Sequence, residues 1–124
     1  KKPLKIISWN ANGIRAVHNK GLFLPFIEKY QPDILCLQET KALQGQAAID
    51  LPEYEEYWNS AERKGYSGTA IFTKPKPLAV FNGMPEHIIK KFALADDDYG
   101  DDPYPSIIPK TYHLFSPIIN FIFT

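Results

Sequence analysis

Sulfur chemistry is almost missing from this sequence, which has one cysteine, Cys36. A single thiol excludes an internal disulfide, fits a reducing compartment and makes a cytoplasmic location the expectation. Cys36 lies in the apolar run Ile34-Leu35-Cys36-Leu37, where a packed thiol is the ordinary reading and a reactive one the exception. An excess of either charge is absent too. The 14 basic and 14 acidic residues cancel, so no overall field points at nucleic acid or at a membrane surface. No apolar run nears the ~20 residues that a membrane helix needs, and the start carries no signal-peptide pattern. No membrane partner is therefore expected. Internal repeats are lacking, and His18, His87 and His113 share no metal-ligand spacing.

What remains is a globular composition, 44% apolar and 23% charged over 124 residues. That is enough for one domain or part of one, since chains of this size hide roughly two thirds of their unfolded surface. Charge is unevenly placed. Five aspartates crowd into positions 96–102, leaving the rest of the chain modestly basic. Their spacing does not match the calcium-loop pattern D-x-[DN]-x-[DN]-G, so the block reads as a solvated loop.

Leu4 to Trp9 is a short apolar run stopped by polar residues, the pattern of a buried strand. Residues 10–21 are polar and glycine-marked, a loop with room for a short turn of helix. Leu22, Phe23, Phe26, Ile27 and Tyr30 then follow an i, i+3, i+4 stripe, and Pro25 fits the first turn of such a helix. Gln31-Pro32-Asp33 ends it. Ile34 to Leu37, apolar on both faces, suits a parallel strand covered on both sides. Strand, helix, strand in this order is a βαβ unit with parallel strands. Asn10 and Gln38-Glu39 then emerge at one edge of the sheet, where ligands of α/β sheets usually bind. Beyond it, Lys41 to Asp50 reads as a short helix, and Tyr54 to Trp58 pairs with Thr69 to Thr73 across the basic loop Arg63-Lys64-Gly65-Tyr66-Ser67-Gly68. Leu78 to Phe81 is a weaker strand and His87 to Leu94 a short helix. The proline-punctuated tail gives no clear period.

Three groups of residues carry chemistry, each beside a plainer alternative. Glu39, directly after a buried strand, is suited to a hard cation such as Mg²⁺, which takes oxygen donors and one or two protein carboxylates. The alternative is a strand-end carboxylate ion-paired with Lys41. Asn10 and Asn12 before Gly13 are either an amide-and-glycine turn or, beside Glu39, part of that cation site. Arg15, Lys20, Lys41, Arg63 and Lys64, with Tyr66 among them, are either scattered surface charges or a rim for backbone phosphates with an aromatic for stacking.

Taken together, Ile7-Ser8-Trp9-Asn10-Ala11-Asn12-Gly13-Ile14-Arg15-Ala16, then Pro32-Asp33-Ile34-Leu35-Cys36-Leu37-Gln38-Glu39-Thr40-Lys41, then Gly65-Tyr66-Ser67-Gly68-Thr69-Ala70 closely resemble the exodeoxyribonuclease III family of apurinic/apyrimidinic endonucleases. Order and spacing agree through about residue 84. The W-N-x-N-G-x-R-A block favours this branch over deoxyribonuclease I, sphingomyelinases and inositol-polyphosphate phosphatases. The resemblance implies a deoxyribonuclease I-like, four-layer α/β sandwich, of which this chain would hold one βαβ unit and a following antiparallel pair. It implies DNA repair by Mg²⁺-dependent (alternatively Mn²⁺-dependent) hydrolysis of double-stranded DNA 5′ to abasic sites, often with 3′-to-5′ exonuclease and 3′-phosphodiesterase activity. By motif position the catalytic pair is Asn10 and Glu39. Glu39 is the metal ligand, and Asn10 orients a catalytic aspartate and lines the metal site. Asn12 stands where some relatives have an aspartate near the metal. With Asn12, the residues Arg15, Lys20, Lys41 and Tyr66 are the expected DNA contacts.

The family's later segments, V-Y-x-P-N-like, G-D-x-N and S-D-H-x-P, do not occur here. The expected division is residues 1–84 as the N-terminal part of the family's domain and 85–124 as a divergent tail. A truncated chain, inactive alone, is the leading expectation. The alternatives are a catalytically dead DNA- or phosphate-binding fragment and a non-functional gene remnant. Half of a two-sheet sandwich also leaves an apolar sheet face without a partner, so self-association is expected, whereas full-length relatives would be monomers.

Overall fold

Two apolar stripes, one on a strand and one on a helix, meet to make the core. In the computed structural model, residues 3–61, 64–82, 87 and 119–122 are described. The chain runs β1 (Ile6–Asn10), α1 (Ile14–Asn19), α2 (Phe23–Tyr30), β2 (Ile34–Gln38), β3 (Glu55–Asn59), β4 (Thr69–Thr73), β5 (Ala79–Asn82) and β6 (Ile119–Ile122). Four strands form one mixed sheet in the order β1-β2-β4-β3, and β5 and β6 form a second, two-stranded sheet.

The α2 stripe is the one its spacing predicts. Phe23 and Ile27 are buried, and Pro25 falls in the first turn. Gln31 ends the helix in the left-handed conformation at φ 44°, donating its N–H to the Ile27 carbonyl, and Pro32 follows. Because strand residues alternate in facing, Trp9 of β1 and Phe72 of β4 lie on the side that meets α2. Trp9 sits 4.5 Å from Phe26 and 6.0 Å from Phe23, while Phe23 meets Phe72 edge-on at 5.7 Å. Leu35, Leu37 and Ala70 complete that face, all buried.

β1 and β2 are parallel, pairing Asn10 with Gln38, so the expected βαβ geometry holds. β3 and β4 are antiparallel, as expected for the flanking pair. Three local expectations are corrected. β1 is an edge strand with one face open, not a buried one: Ile6 is 61% exposed, and Ser8 and Asn10 are exposed with it. The strand β6 approaches the main sheet at β3 and β4, the end away from β1, so that face of β1 stays open. Residues 14–19, read as mostly loop, form the helix α1. No helix forms over Lys41–Asp50. Lys41 and Gly45 have φ of 51° and 88°, and left-handed residues interrupt right-handed winding. Gln46 Oε1 instead accepts the Leu43 N–H at 2.8 Å, closing a turn.

The last strand, β6, lies in the tail that showed no period; it pairs antiparallel with β5 from Ala79–Ile122 to Asn82–Ile119. Of the helix expected over His87–Leu94, only His87 is described, and it is helical. The acidic block 96–102 and Arg63 lie outside the described residues. Among the described residues no helix is long and apolar enough to cross a membrane.

Candidate functional site

Parallel pairing of β1 and β2 continues past the strand ends as a seam of backbone hydrogen bonds. Ala11, Gly13 and Ile14 donate to the carbonyls of Gln38, Glu39 and Thr40 at 3.0, 2.8 and 3.0 Å. On the other side of that segment, Thr40 and Lys41 donate to Gly68 and Ser67 at 3.1 and 2.7 Å. Three loops far apart in the chain are thus stitched edge to edge, with residues 39–41 in the middle.

The seam holds the backbone in uncommon shapes. Asn12, Glu39, Lys41 and Ser67 have φ between 46° and 51°, four of the five described non-glycine residues with positive φ. Left-handed conformations at ordinary residues persist only where the surroundings over-determine them, and they concentrate at functional sites. Their crowding into one corner marks it as the candidate site.

Side chains there close a ring. Asn10 Nδ2 donates to Glu39 Oε1 at 3.0 Å, and Asn10 Oδ1 accepts the Asn12 N–H at 3.0 Å. Lys41 Nζ donates to Asn12 Oδ1 at 2.5 Å and stands 3.8 Å from Glu39 Oε2. Arg15 Nη2 donates to the Lys41 carbonyl at 3.0 Å, so the guanidinium is anchored beside the ring. Both readings of Glu39 meet in this geometry. The ion pair with Lys41 exists, and the amide of Asn10 stands at the other carboxylate oxygen.

Among the described residues no group of three His, Cys, Asp or Glu side chains is arranged to hold a metal. That excludes a closed cage of nitrogen and sulfur ligands among them, of the kind zinc prefers. One partly exposed carboxylate, oriented by the Asn10 amide donating to its Oε1, instead suits a hard cation that takes one or two protein carboxylates and keeps most of its waters.

Beside the ring lies a cavity of about 410 Å³, lined by Arg15, Leu43, Gln46, Ser60, Lys64 and Tyr66 among others. Ser60 Oγ donates to the Ala42 carbonyl at 3.0 Å, fixing the far wall. Two cations, an aromatic and small polar groups suit an anionic, ring-bearing ligand better than an apolar one. Of the residues singled out from sequence, Asn10, Asn12, Glu39 and Lys41 form the ring, Arg15 is anchored beside it, and Arg15, Lys64 and Tyr66 line the cavity. Lys20 does not line the cavity; it caps the end of α1, its N–H donating to the Ala16 carbonyl. Leu43, Gln46 and Ser60 were missed, two of them because their segment was read as a helix. Cys36 is half-buried, and burial pushes its thiol up from its usual range, which agrees with a packed, unreactive side chain.

With this geometry in view, comparison with known proteins is informative. The pattern of the endonuclease/exonuclease/phosphatase family matches residues 7–109. An exodeoxyribonuclease of Bacillus subtilis is 51% identical over 81 residues, which is 65% of this chain and 32% of that protein. A DNA-(apurinic or apyrimidinic site) endonuclease of Dictyostelium discoideum is 45% identical over 83 residues, again 65% of this chain but 23% of the relative. The chain thus spans a third or less of the length of these relatives. Among solved structures, the 3′ phosphatase NExo from Neisseria, bound to a product DNA hairpin, superposes with a TM-score of 0.57 at 30% identity, covering 82% of this chain and 34% of that one. Its structural neighbours have the deoxyribonuclease I-like α/β fold that the motif blocks implied.

Proposed function

The chain belongs to the endonuclease/exonuclease/phosphatase family, and on that premise we propose that it forms the cation- and phosphate-contacting part of an exodeoxyribonuclease III-type DNA-repair nuclease. The substrate is double-stranded DNA cut 5′ to abasic sites, with 3′-to-5′ exonuclease activity as a second reaction. One observation carries this reading. The backbone seam brings the Asn10 amide to 3.0 Å from the Glu39 carboxylate although 29 positions separate them.

Glu39 and Asn10 are the residues that would hold Mg²⁺, with Mn²⁺ as an alternative. When bound, the ion supplies charge stabilisation at the phosphoryl oxygens. The chain's own residues do the rest of the holding. Arg15 and Lys64 face the cavity with fixed positive charge, and Tyr66 offers a ring for stacking on a base or sugar. Asn12 and Lys41 border the cation seat, and Lys20 extends the basic side along α1. Among the described residues Glu39 is met by the Asn10 amide and the Lys41 ammonium, neither of which takes a proton at neutral pH. A general base must lie within hydrogen-bond reach of the attacking water. No such base stands at Glu39 among the described residues, and the sequence holds no G-D-x-N or S-D-H-x-P segment; we therefore infer that this chain alone binds DNA without turning it over.

The same reading keeps residues 1–84 as the family-like part and 85–124 as a divergent tail. The matched lengths of 81 and 83 residues support that division, and the family match running on to residue 109 weighs against it. A cytoplasmic location belongs to the same proposal, supported by a single cysteine that fits a reducing compartment.

Incision of an abasic-site duplex with Mg²⁺ tests the reading, alongside DNA affinity measured across a salt series. Salt-dependent binding with no cleavage is expected. Turnover comparable to a full-length relative refutes the inactivity, and salt-independent or absent DNA binding refutes the binding role.

A further inference from the structure

Lys41 has a main chain pinned on both sides and a side chain that is partly exposed. Its N–H donates to Ser67, its carbonyl accepts from Arg15 at 3.0 Å, and its φ of 51° is held between them. From this root the ammonium reaches back to Asn12 Oδ1 at 2.5 Å and stands 3.8 Å from Glu39 Oε2. Asn12 is tied to Asn10, and Asn10 to the other oxygen of Glu39. The ring therefore passes through the carboxylate on one side by an amide and on the other by a cation.

We propose that the Lys41 ammonium is the resident counter-ion of Glu39: it keeps the carboxylate and both asparagines in place, and a divalent cation must displace it to bind. The inference rests on reading Glu39 as the cation ligand. Three features support it. The distance to Glu39 exceeds a hydrogen bond, so the pairing is ionic and lacks directional grip. Both side chains are partly exposed, at 37% and 40%, and an ion pair in that setting is weak enough to yield. The flexible four-carbon stem lets the ammonium swing off Glu39 while keeping Asn12 within reach. Lys41 is thus a positioning residue that sets the affinity of the seat, ahead of any contact with DNA.

Mn²⁺ alone, followed by electron paramagnetic resonance at constant ionic strength, is the probe, with the full chain and its Lys41→Met, Lys41→Arg and Glu39→Gln variants. Removing the ammonium is expected to tighten the Mn²⁺ Kd by about tenfold, as a nearby like charge is lost. Lys41→Arg, which keeps the charge, is expected to stay within about twofold of the parent. Glu39→Gln is expected to weaken binding by about tenfold or more. Equal Kd values for the parent and Lys41→Met, with Glu39→Gln weaker, overturn the counter-ion role and leave Glu39 as ligand. Equal Kd values for the parent and Glu39→Gln overturn both. If Lys41→Met does not fold, Lys41→Gln carries the same comparison, because its amide still reaches Asn12.

Discussion

Replacing Gly68 by alanine tests the seam that makes the site. Gly68 has φ 95°, and a Cβ placed there would lie 2.5 Å from Thr40 Oγ1 and 3.8 Å from the Lys41 nitrogen. Thr40 is fully buried, and its backbone N–H is bonded to the Gly68 carbonyl at 3.1 Å. It has little freedom to retreat. Two terms add. An L-residue in the left-handed region costs about 1–2 kcal/mol, and forcing extra volume into a packed position costs about 1–3 kcal/mol. Their sum, about 2–5 kcal/mol, is a large share of the 5–15 kcal/mol typical of a folded domain. The steric share is separable because Thr40 Oγ1 has no hydrogen-bond partner among the described residues. Thr40→Ala therefore removes the clashing atom without breaking a bond. Urea unfolding of the parent, both single variants and the double variant, followed by circular dichroism, gives the coupling between the sites. The double variant is expected to recover about 1–3 kcal/mol relative to the sum of the singles. Gly68→Ala within about 0.5 kcal/mol of the parent, or additivity within that margin, refutes the close approach of the two loops.

Three further outcomes are expected. Tyr54 is buried, donates its hydroxyl to the Pro32 carbonyl at 2.6 Å, and is pushed up to about 12, first by burial and then by Glu53 and Asp33. The neutral phenol is favoured in the folded chain, so its contribution is complete below pH 10 and lost as pH rises towards 12. That loss is about 3 kcal/mol at 1.4 kcal/mol per unit. Tyr57, hydrogen-bonded to Glu55, shifts in the same direction. Chemical denaturation from pH 9 to 12 is expected to show a falling limb that Tyr54→Phe flattens; an unchanged limb refutes the assignment. Arg15→Ala is expected to lower the slope of log affinity for duplex DNA against log salt by about one phosphate contact, and an unchanged slope places Arg15 outside the interface. On the open side of the sheet, Ile6 is 61% exposed, and we expect concentration-dependent association in light scattering that Ile6→Glu reduces. A monodisperse monomer at high concentration counts against it.

Legibility in the sequence followed the kind of signal. The α2 stripe and the run Ile34–Leu37 are long, periodic and apolar, and they gave the parallel pair and hence the meeting of Asn10 with Glu39. Residues 41–50 failed for the opposite reason. Ala42, Leu43, Ala47 and Ile49 look helical by spacing, but the segment is pinned through Lys41 to Ser67 and turns at Gly45. Periodicity carries no information about left-handed backbone. β6 was illegible because its pairing with β5 is a contact across some 40 positions of chain with no local pattern. The cavity wall shared the fate of residues 41–50. Leu43 and Gln46 line it because that segment is a turn, not a helix.

The chemistry of the corner divides into holding and hydrolysing, and the residues fall on one side. Holding needs a carboxylate for a cation, amides to orient it, and fixed cations for phosphates. On the function proposed above, Glu39, Asn10, Asn12, Arg15 and Lys64 would provide these, and they lie in loops locked together by five backbone hydrogen bonds. Hydrolysing needs a group that accepts a proton from water, and the ring offers only Glu39, whose oxygens face an amide donor and an ammonium. A carboxylate serving as a cation ligand is no longer free to act as the base. On that proposal the base for this corner would come from outside the described residues, and the open face is the one beside Asn10 and Ser8, since α2 covers the other.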